Sequence, residues 1–103
     1  MTTGRKQSRQ KKELTEQYAN ELFEIIRKIA GDRGLLKEFF LDILTPAEYK
    51  ELGLRWQIVK RLGKEESQRK IAKDLGVSVA TITRGSRELL DKEGGFQKVL
   101  DRL

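Results

Sequence analysis

The chain of 103 residues contains neither cysteine nor histidine, and it has a single proline. The two missing residue types exclude disulfides, thiol chemistry, thiolate zinc sites and acid–base catalysis by imidazole. The carboxylates form no recognisable pair on a concave motif, so we expect neither a metal site nor an enzyme. The scarcity of proline and of alternating β-branched residues favours helices.

Long apolar stretches are also missing. The most apolar run spans residues 35–44 and is interrupted by Lys37, Glu38 and Asp42. It is far shorter than the ~20 residues that a membrane span requires. The N-terminal residues are polar and basic, and they lack the apolar segment of a secretory signal. We therefore expect a cytoplasmic protein that has no membrane partner.

The formal net charge is +6, and the excess of basic residues is concentrated in two places. Residues 1–12 hold five basic side chains and no acidic one, and residues 67–87 hold five basic side chains against Asp74 alone. The rest of the chain is slightly acidic. This distribution indicates a polyanionic partner. We expect residues 1–10 to form a flexible basic arm, followed by one helical domain over residues 11–103.

Apolar residues at intervals of three and four predict about six helices in an all-α fold. The first such spacing runs from Leu14 to Ile29 and ends before Gly31. The second, over residues 35–44, has seven apolar residues in ten, so nearly every side of that helix must be buried. A monomer of this size can hardly surround such a helix. A partner chain is therefore expected, and the alternative is an ordinary central core helix.

Capping residues mark where several helices begin. Thr45 has the residue type of an N-cap, Pro46 that of the first helical position and Glu48 that of a capping-box partner. Gly63 stands where this helix is expected to end. The remaining three helices are expected to follow Ser67, Ser78 and the glycines at 94–95.

Residues 67–90 fit a helix-turn-helix. Four apolar residues stand at the offsets where this motif packs its internal core, a small residue stands where its helices approach closely, and a glycine stands at the tight turn. In that order they are Ile71, Leu75, Val77 and Ile82, then Ala72, then Gly76. The alternative is a helical hairpin in a bundle that does not bind DNA. The exposed positions are basic or small and hydroxylated, which favours DNA binding.

The second helix of this motif, beginning at Val79, would enter the major groove of DNA with its first turn nearest the bases. Ala80 can meet a thymine methyl group, and Arg69 is suited to a bidentate contact with guanine. Hydrogen bonds to phosphates or bases are expected from Ser78, Thr81 and Thr83. Phosphate contacts are expected from Gln68, Lys70, Lys73 and Arg87.

Gly85 occupies a helix position that is usually apolar in this motif. A glycine inside a helix costs about 0.8–1 kcal/mol relative to alanine, so something must need the space. Beside Arg84, the missing side chain can form a slot for a flat ligand that carries a carboxylate. It can equally allow a close helix crossing, and the residues alone leave both interpretations open.

Several segments resemble the tryptophan repressor family. The similar segments are SQR at 67–69, LG at 75–76, ATITRGS at 80–86, LTP at 44–46, LG-x-R at 52–55 and I-V at 58–59. The resemblance implies an intertwined, all-helical homodimer that uses L-tryptophan as corepressor. It also implies a near-palindromic DNA operator whose half-sites lie about one helical turn apart.

The resemblance also implies a ligand site. Arg55 and Arg84 would enclose the indole ring, Arg84 would hold the ligand carboxylate and Gly85 would leave room for the indole. The partner subunit's Thr45 would assist at the carboxylate, and the backbone carbonyl of the partner's Leu44 would accept from the ligand ammonium. The family's DNA-contacting positions match Arg69, Ala80 and Thr83, and Thr81 would lie beside both the pocket and the DNA.

Glu88 departs from the family pattern, because it stands where the family has a serine that meets the ligand ammonium. Its carboxylate can serve that role with a full charge. Glu88 also lies one helical turn from Arg84, and an intrahelical ion pair between the two would compete with the ligand.

The sequence thus predicts a transcriptional repressor that binds a specific operator when tryptophan is bound. Two alternatives stay open: a helix-turn-helix regulator of the same fold with another effector or none, and a nonspecific nucleic-acid-binding protein. The nonspecific alternative would bind with a steep salt dependence and no sequence preference.

Overall fold

The computed structural model describes residues 2–103, with side chains from residue 9 onward. These residues form six α-helices with short connections and contain no strand. The helices are α1 Thr2–Ile29, α2 Arg33–Ile43, α3 Pro46–Gly63, α4 Gln68–Leu75, α5 Val79–Leu90 and α6 Gly95–Arg102. The predicted all-α fold of about six helices is confirmed. None of the described helices has the length and apolar character needed to cross a membrane.

The chain divides into two compact units, residues 1–43 and residues 44–103. The arm over residues 1–10 and the single domain over residues 11–103 stay predictions. The first unit contains α1 and α2, and none of its described side chains is buried. Tyr18 is 66% exposed and Phe23 is 59% exposed. The described side chains of this unit therefore form no buried core, although the composition of α2 predicts burial on nearly every side.

The first helix begins earlier than the apolar spacing indicates. α1 starts at Thr2, ahead of Leu14, so the structure continues the helix through the residues of the expected flexible arm. Residues 5–12 consist mostly of arginine, lysine and glutamine, which are good helix formers. A helix nucleated at the apolar spacing can extend over them, because adding a residue to a helix costs far less than starting one.

The start of α3 matches its prediction in every part. Thr45 is the N-cap, and its Oγ1 accepts a hydrogen bond from the backbone N–H of Glu48 at 3.2 Å. In return, Glu48 Oε1 accepts from the backbone N–H of Thr45 at 2.8 Å, and Pro46 occupies the first helical position. The backbone hydrogen bond from Thr45, with a smaller contribution from its side chain, lowers the pKa of Glu48.

The end of α3 falls at Gly63 as predicted, but the left-handed residue beyond it is Glu65, with a φ of 61°. The backbone N–H groups of Glu65 and Glu66 donate to carbonyls in the last turn of α3 at 2.9 and 3.2 Å, which is the Schellman motif that glycine usually completes. Gly63 instead accommodates α6, because a Cβ there would lie 2.9 Å from Leu100 Cδ1.

The second unit packs around a small apolar core formed by α3, α4 and α5. Ile71 and Ile82 are fully buried, and Ile58 and Ala72 are buried beside them. Gly76 makes the turn between α4 and α5 with a φ of 68°. The partly buried side chains around this core are Leu54, Leu62, Leu75 and Val77. All six residues predicted to build the helix-turn-helix take the expected places.

An ion-pair cluster ties the end of α3 to the end of α4. The guanidinium of Arg61 donates to Glu66 Oε1 through Nε at 3.0 Å and Nη2 at 2.8 Å, and to Asp74 Oδ2 at 2.6 Å. These hydrogen bonds lower the pKa of both carboxyl groups. The stabilisation they provide is present above the ordinary carboxyl pKa and is lost as the pH falls through the lowered values.

Glu65→Gly should raise the free energy of unfolding by about 1 kcal/mol, because glycine adopts a positive φ without the steric cost that other residues carry. Lys64→Gly is the matched control, since Lys64 has a φ of −90° and glycine there only adds freedom to the unfolded chain. Denaturant unfolding at one protein concentration measures both variants. Equal or lower stability of Glu65→Gly would contradict strain at Glu65.

Candidate nucleic-acid interface and ligand cavity

The first turn of α5 presents small, exposed side chains at a capped helix start. Ser78 Oγ accepts a hydrogen bond from the backbone N–H of Thr81 at 3.2 Å and lies 2.9 Å from Thr81 Oγ1. Val79, Ala80 and Thr81 are exposed. Because a helix N-terminus carries a partial positive charge, this turn suits a phosphate group or the edge of a base.

Four basic side chains predicted to contact DNA lie on the surface of α4 and α5. They are Arg69, Lys70, Lys73 and Arg87, and all four are exposed. None of them forms an ion pair with any residue that the structure describes. Arg61, in contrast, is fully engaged by two carboxylates. The four exposed charges therefore remain available to a polyanion.

Gln68 and Thr83 differ from the other predicted DNA contacts because both are half-buried. Thr83 Oγ1 lies 3.1 Å from Gln68 Oε1 and 3.0 Å from the carbonyl oxygen of Val79. The single hydroxyl proton of Thr83 is thus used within the protein, where it links α5 to the start of α4. Thr83 can still accept a hydrogen bond from DNA, and Gln68 keeps its amide donors.

A cavity of about 380 Å³ lies between α3, α5 and α6. This volume falls in the range of small-molecule sites. The lining residues are Glu51, Leu54, Arg55, Ile58, Val59, Thr81, Arg84, Gly85, Glu88 and Phe96. The structure therefore brings together five of the seven residues assigned to the ligand by resemblance, which are Arg55, Thr81, Arg84, Gly85 and Glu88. Within the described residues, no cluster of side chains could hold a metal ion.

Some of the charged side chains that line the cavity form ion pairs, and others do not. Arg55 Nη2 lies 2.7 Å from Glu51 Oε1, an ion pair across one turn of α3. Arg84 and Glu88 form no ion pair with each other or with any other described residue. The competing intrahelical pair that their spacing permits is therefore absent, and both charges remain open to a ligand.

Gly85 serves a helix crossing as well as the cavity. A Cβ at this position would lie 3.0 Å from Ile58 Cγ2 and 3.7 Å from Leu62 Cδ1. Of the two interpretations that the sequence leaves open, the close crossing of α5 on α3 is thus present. Gly85 also lines the cavity, so the same missing side chain contributes to both features.

Five cavity residues were missed by the sequence analysis. Four of them lie on α3, namely Glu51, Leu54, Ile58 and Val59. Glu51, Ile58 and Val59 stand four, three and four residues from Arg55, so helical spacing about Arg55 could have identified them, whereas Leu54 is adjacent to Arg55 and falls on a neighbouring face. Phe96 lies on α6 and has no local signal, because only the tertiary packing of α6 brings it to the cavity.

The two other residues assigned by resemblance, Leu44 and Thr45, do not line this cavity, and their assignment to the site of a partner subunit stays a prediction. Leu44 is half-buried in the bend before α3. The hydroxyl oxygen of Thr45 accepts from the backbone N–H of Glu48, and its own proton remains free to donate. The capping box therefore leaves Thr45 able to serve a ligand carboxylate.

Comparison with known proteins identifies the family. The family model for the Trp repressor protein matches residues 17–103. The Trp operon repressor homolog of Vibrio campbellii is 51% identical over 74 residues, covering 70% of this chain and 72% of the relative. That of Actinobacillus succinogenes is 45% identical over 71 residues, covering 68% and 69%. That of Haemophilus influenzae is 40% identical over 72 residues, covering 69% and 71%.

The match to the family model includes the whole second unit of the structure. It covers the helix-turn-helix of α4 and α5 together with every residue that lines the cavity. The resemblance drawn from short sequence segments is confirmed by these independent similarities. The chain belongs to the Trp repressor protein family, a family of DNA-binding transcriptional repressors.

Proposed function

We propose that this chain is a homodimeric repressor that binds a near-palindromic DNA operator when L-tryptophan occupies the cavity between α3, α5 and α6. The proposal rests on one observation: the same helix, α5, lines the cavity and carries the exposed turn that is proposed to bind DNA. Thr81, Arg84, Gly85 and Glu88 of α5 line the cavity, and the first turn of the same helix is exposed for DNA. A ligand held in this cavity can thus bias the orientation of the helix that reads DNA.

The chemistry of the cavity suits an aromatic amino acid. Leu54, Ile58 and Val59 supply an apolar wall for a flat ring, and Phe96 adds an aromatic side chain. The guanidinium of Arg84 has no carboxylate of a described residue within ion-pair distance, so it can bind a ligand carboxylate with two parallel hydrogen bonds. The guanidinium of Arg55 can stack on the ring while Glu51 holds it.

Coupling between the two sites follows from their positions on α5. Thr81, Arg84 and Glu88 lie on the face of α5 toward the cavity, and Ala80, Thr83 and Arg87 each immediately precede one of them in the sequence, on a neighbouring face. A ligand shifts the protein toward its DNA-binding form only if it binds that form more tightly. By linkage, DNA must then raise the affinity for tryptophan by the same factor.

A second copy of the chain would cover the apolar side chains that the first unit leaves exposed. Exposed apolar side chains of α1 and α2 include Leu14, Tyr18, Phe23, Leu35, Leu41 and Ile43. An apolar surface of this extent indicates an interface, since burying apolar area contributes about 25 cal/mol per Å². Two-fold symmetry of the dimer would then match a near-palindromic operator.

Sedimentation equilibrium should give twice the chain mass of 11.9 kDa, because the apolar side chains of α1 and α2 are covered only in a dimer. The midpoint of thermal unfolding should also rise with protein concentration, as mass action requires when association stabilises the fold. A monomer whose unfolding midpoint does not change with concentration would contradict the dimer.

Gel-shift titration with a pool of duplexes should show tighter and more selective binding when tryptophan is present, because the ligand favours the DNA-binding orientation of α5. The affinity should fall with rising salt in both states, since the exposed basic residues contact phosphates. Equal affinity with and without tryptophan would support a regulator with another effector or none. Binding without sequence preference would support the nonspecific alternative.

Arg84→Ala should abolish the binding of tryptophan in calorimetry, because it removes the group that holds the ligand carboxylate. Arg87→Ala is the matched control, since Arg87 is an exposed arginine of the same helix that does not line the cavity. The Arg87 variant should keep its tryptophan affinity while its DNA affinity falls and the salt dependence weakens. Undiminished tryptophan binding by Arg84→Ala would refute the assignment.

A further inference from the structure

The guanidinium of Arg61 contacts carboxylates at both ends of α4. Glu66, just before the N-cap Ser67, accepts from Nε at 3.0 Å and from Nη2 at 2.8 Å. Asp74, in the last turn of α4, accepts from Nη2 at 2.6 Å. Because these hydrogen bonds lower the pKa of both carboxyl groups, both are ionised at neutral pH. Arg61 therefore attaches the two ends of one short helix to α3.

We infer that the contact between Arg61 and Asp74 positions α4 for DNA binding, and that both residues act on the DNA affinity through the orientation of α4 rather than by touching DNA. The inference rests on the proposed function and extends it from the residues that contact DNA to those that orient them. The Arg61 side chain is 15% exposed and donates to two carboxylates, so it is poorly placed to bind a phosphate. Asp74 carries a negative charge, which phosphates repel.

The apolar contacts of α4 do not by themselves fix its direction. Ile71 and Ala72 bury one side of this eight-residue helix, and hydrophobic burial is non-directional. The hydrogen bond between Gln68 and Thr83 links α4 only to α5, the other helix of the motif. Among the side-chain hydrogen bonds that the structure describes, those of Arg61 join the motif to α3. Attachment at both ends restrains the tilt of α4 as well as its distance from α3.

The basic side chains of α4 move with the axis of that helix. Arg69, Lys70 and Lys73 are exposed on α4 and are proposed to contact DNA. A tilt about the buried side chains would move the two ends of α4 in opposite directions. The three basic residues could then not meet their DNA contacts together, and phosphate contacts are what sets the register of a protein on the duplex.

A purely electrostatic role for Asp74 predicts a change of the opposite sign. The charges of Lys70 and Lys73 contribute to the lowered pKa of Asp74, so its carboxylate lies close to side chains that are proposed to contact phosphates. If the carboxylate only weakened the positive field of α4, its removal would strengthen DNA binding. If the carboxylate positions α4, its removal weakens DNA binding in spite of the gain in positive charge.

Asp74→Asn in the full-length protein tests the inference by the direction of the change in DNA affinity. The probe is the duplex that the wild-type protein enriches from a random pool with tryptophan, and the affinity is measured at saturating tryptophan. It should fall about 3- to 10-fold, the size expected for the loss of one contact in an ion-pair network. Glu93→Gln is the matched control, because Glu93 is exposed, lies outside α4 and forms no ion pair with a described residue. The control should bind the duplex as tightly as the wild type or more tightly.

A second background separates positioning from a general loss of folding. In Arg61→Gln, α4 has already lost its attachment, so adding Asp74→Asn should no longer lower the affinity and should raise it slightly through the change in charge. Destabilisation of the fold would instead lower the affinity in both backgrounds. Calorimetry should show that Asp74→Asn alone keeps its tryptophan affinity, because no residue of α4 lines the cavity.

The outcomes distinguish this inference from the proposed function. If the wild-type protein enriches a duplex and Asp74→Asn binds it equally or more tightly, the positioning role is overturned while the proposed function stands. The role is also overturned if the affinity falls equally in both backgrounds, or if tryptophan binding is lost with it. If the wild-type protein enriches no duplex with tryptophan, the proposed function fails, and the inference fails with it. A fall that depends on Arg61, with tryptophan binding retained, supports the assignment.

Discussion

The packing of α5 on α3 is the constraint on which the second unit depends. Ile82 of α5 is fully buried with Ile71 of α4 against Ile58 of α3, and Gly85 lets the two longer helices approach closely. The same crossing forms a wall of the cavity, because Ile58 and Gly85 both line it. The structural core and the cavity therefore share side chains, so under the proposed function a ligand at this crossing would act directly on the position of α5.

The arginine residues of the second unit differ in their contacts. Arg61 is held by Glu66 and Asp74 and joins α3 to α4, which fixes the first helix of the DNA-binding motif. Arg55 is held by Glu51 at the edge of the cavity. Arg84 faces the cavity without a partner among the described residues, and Arg87 is exposed beside it. The positive charge of the second unit thus includes arginines held in ion pairs, one that lines the cavity and one that is exposed, and the proposed function assigns the last two to the ligand and to DNA.

Much of the structure of the second unit could be predicted, because the residue types that determine it lie close together in the sequence. The capping box at Thr45 and the left-handed Gly76 require particular residue types at fixed offsets, and the buried pair Ile71 and Ile82 follows from the offsets of the helix-turn-helix motif. The conformation of Glu65 could not be predicted, since glycine is the usual residue at such a position.

The features that escaped prediction depend on tertiary or quaternary packing. Phe96 reaches the cavity only because α6 packs beside α3, and no pattern near Phe96 indicates it. The apolar composition of α2 predicted burial against a partner chain, and none of its side chains is buried within the single chain. Which surface covers α2 therefore stays a prediction.

The central claim is that tryptophan in the cavity controls sequence-specific binding by α5. Selection from a random duplex pool, carried out in parallel with and without tryptophan, tests it most directly. With tryptophan, the account predicts enrichment of a two-fold symmetric site whose half-sites lie about one helical turn apart. Without tryptophan, it predicts no enriched sequence. The same site enriched equally in both pools, or no site enriched with tryptophan, would contradict it.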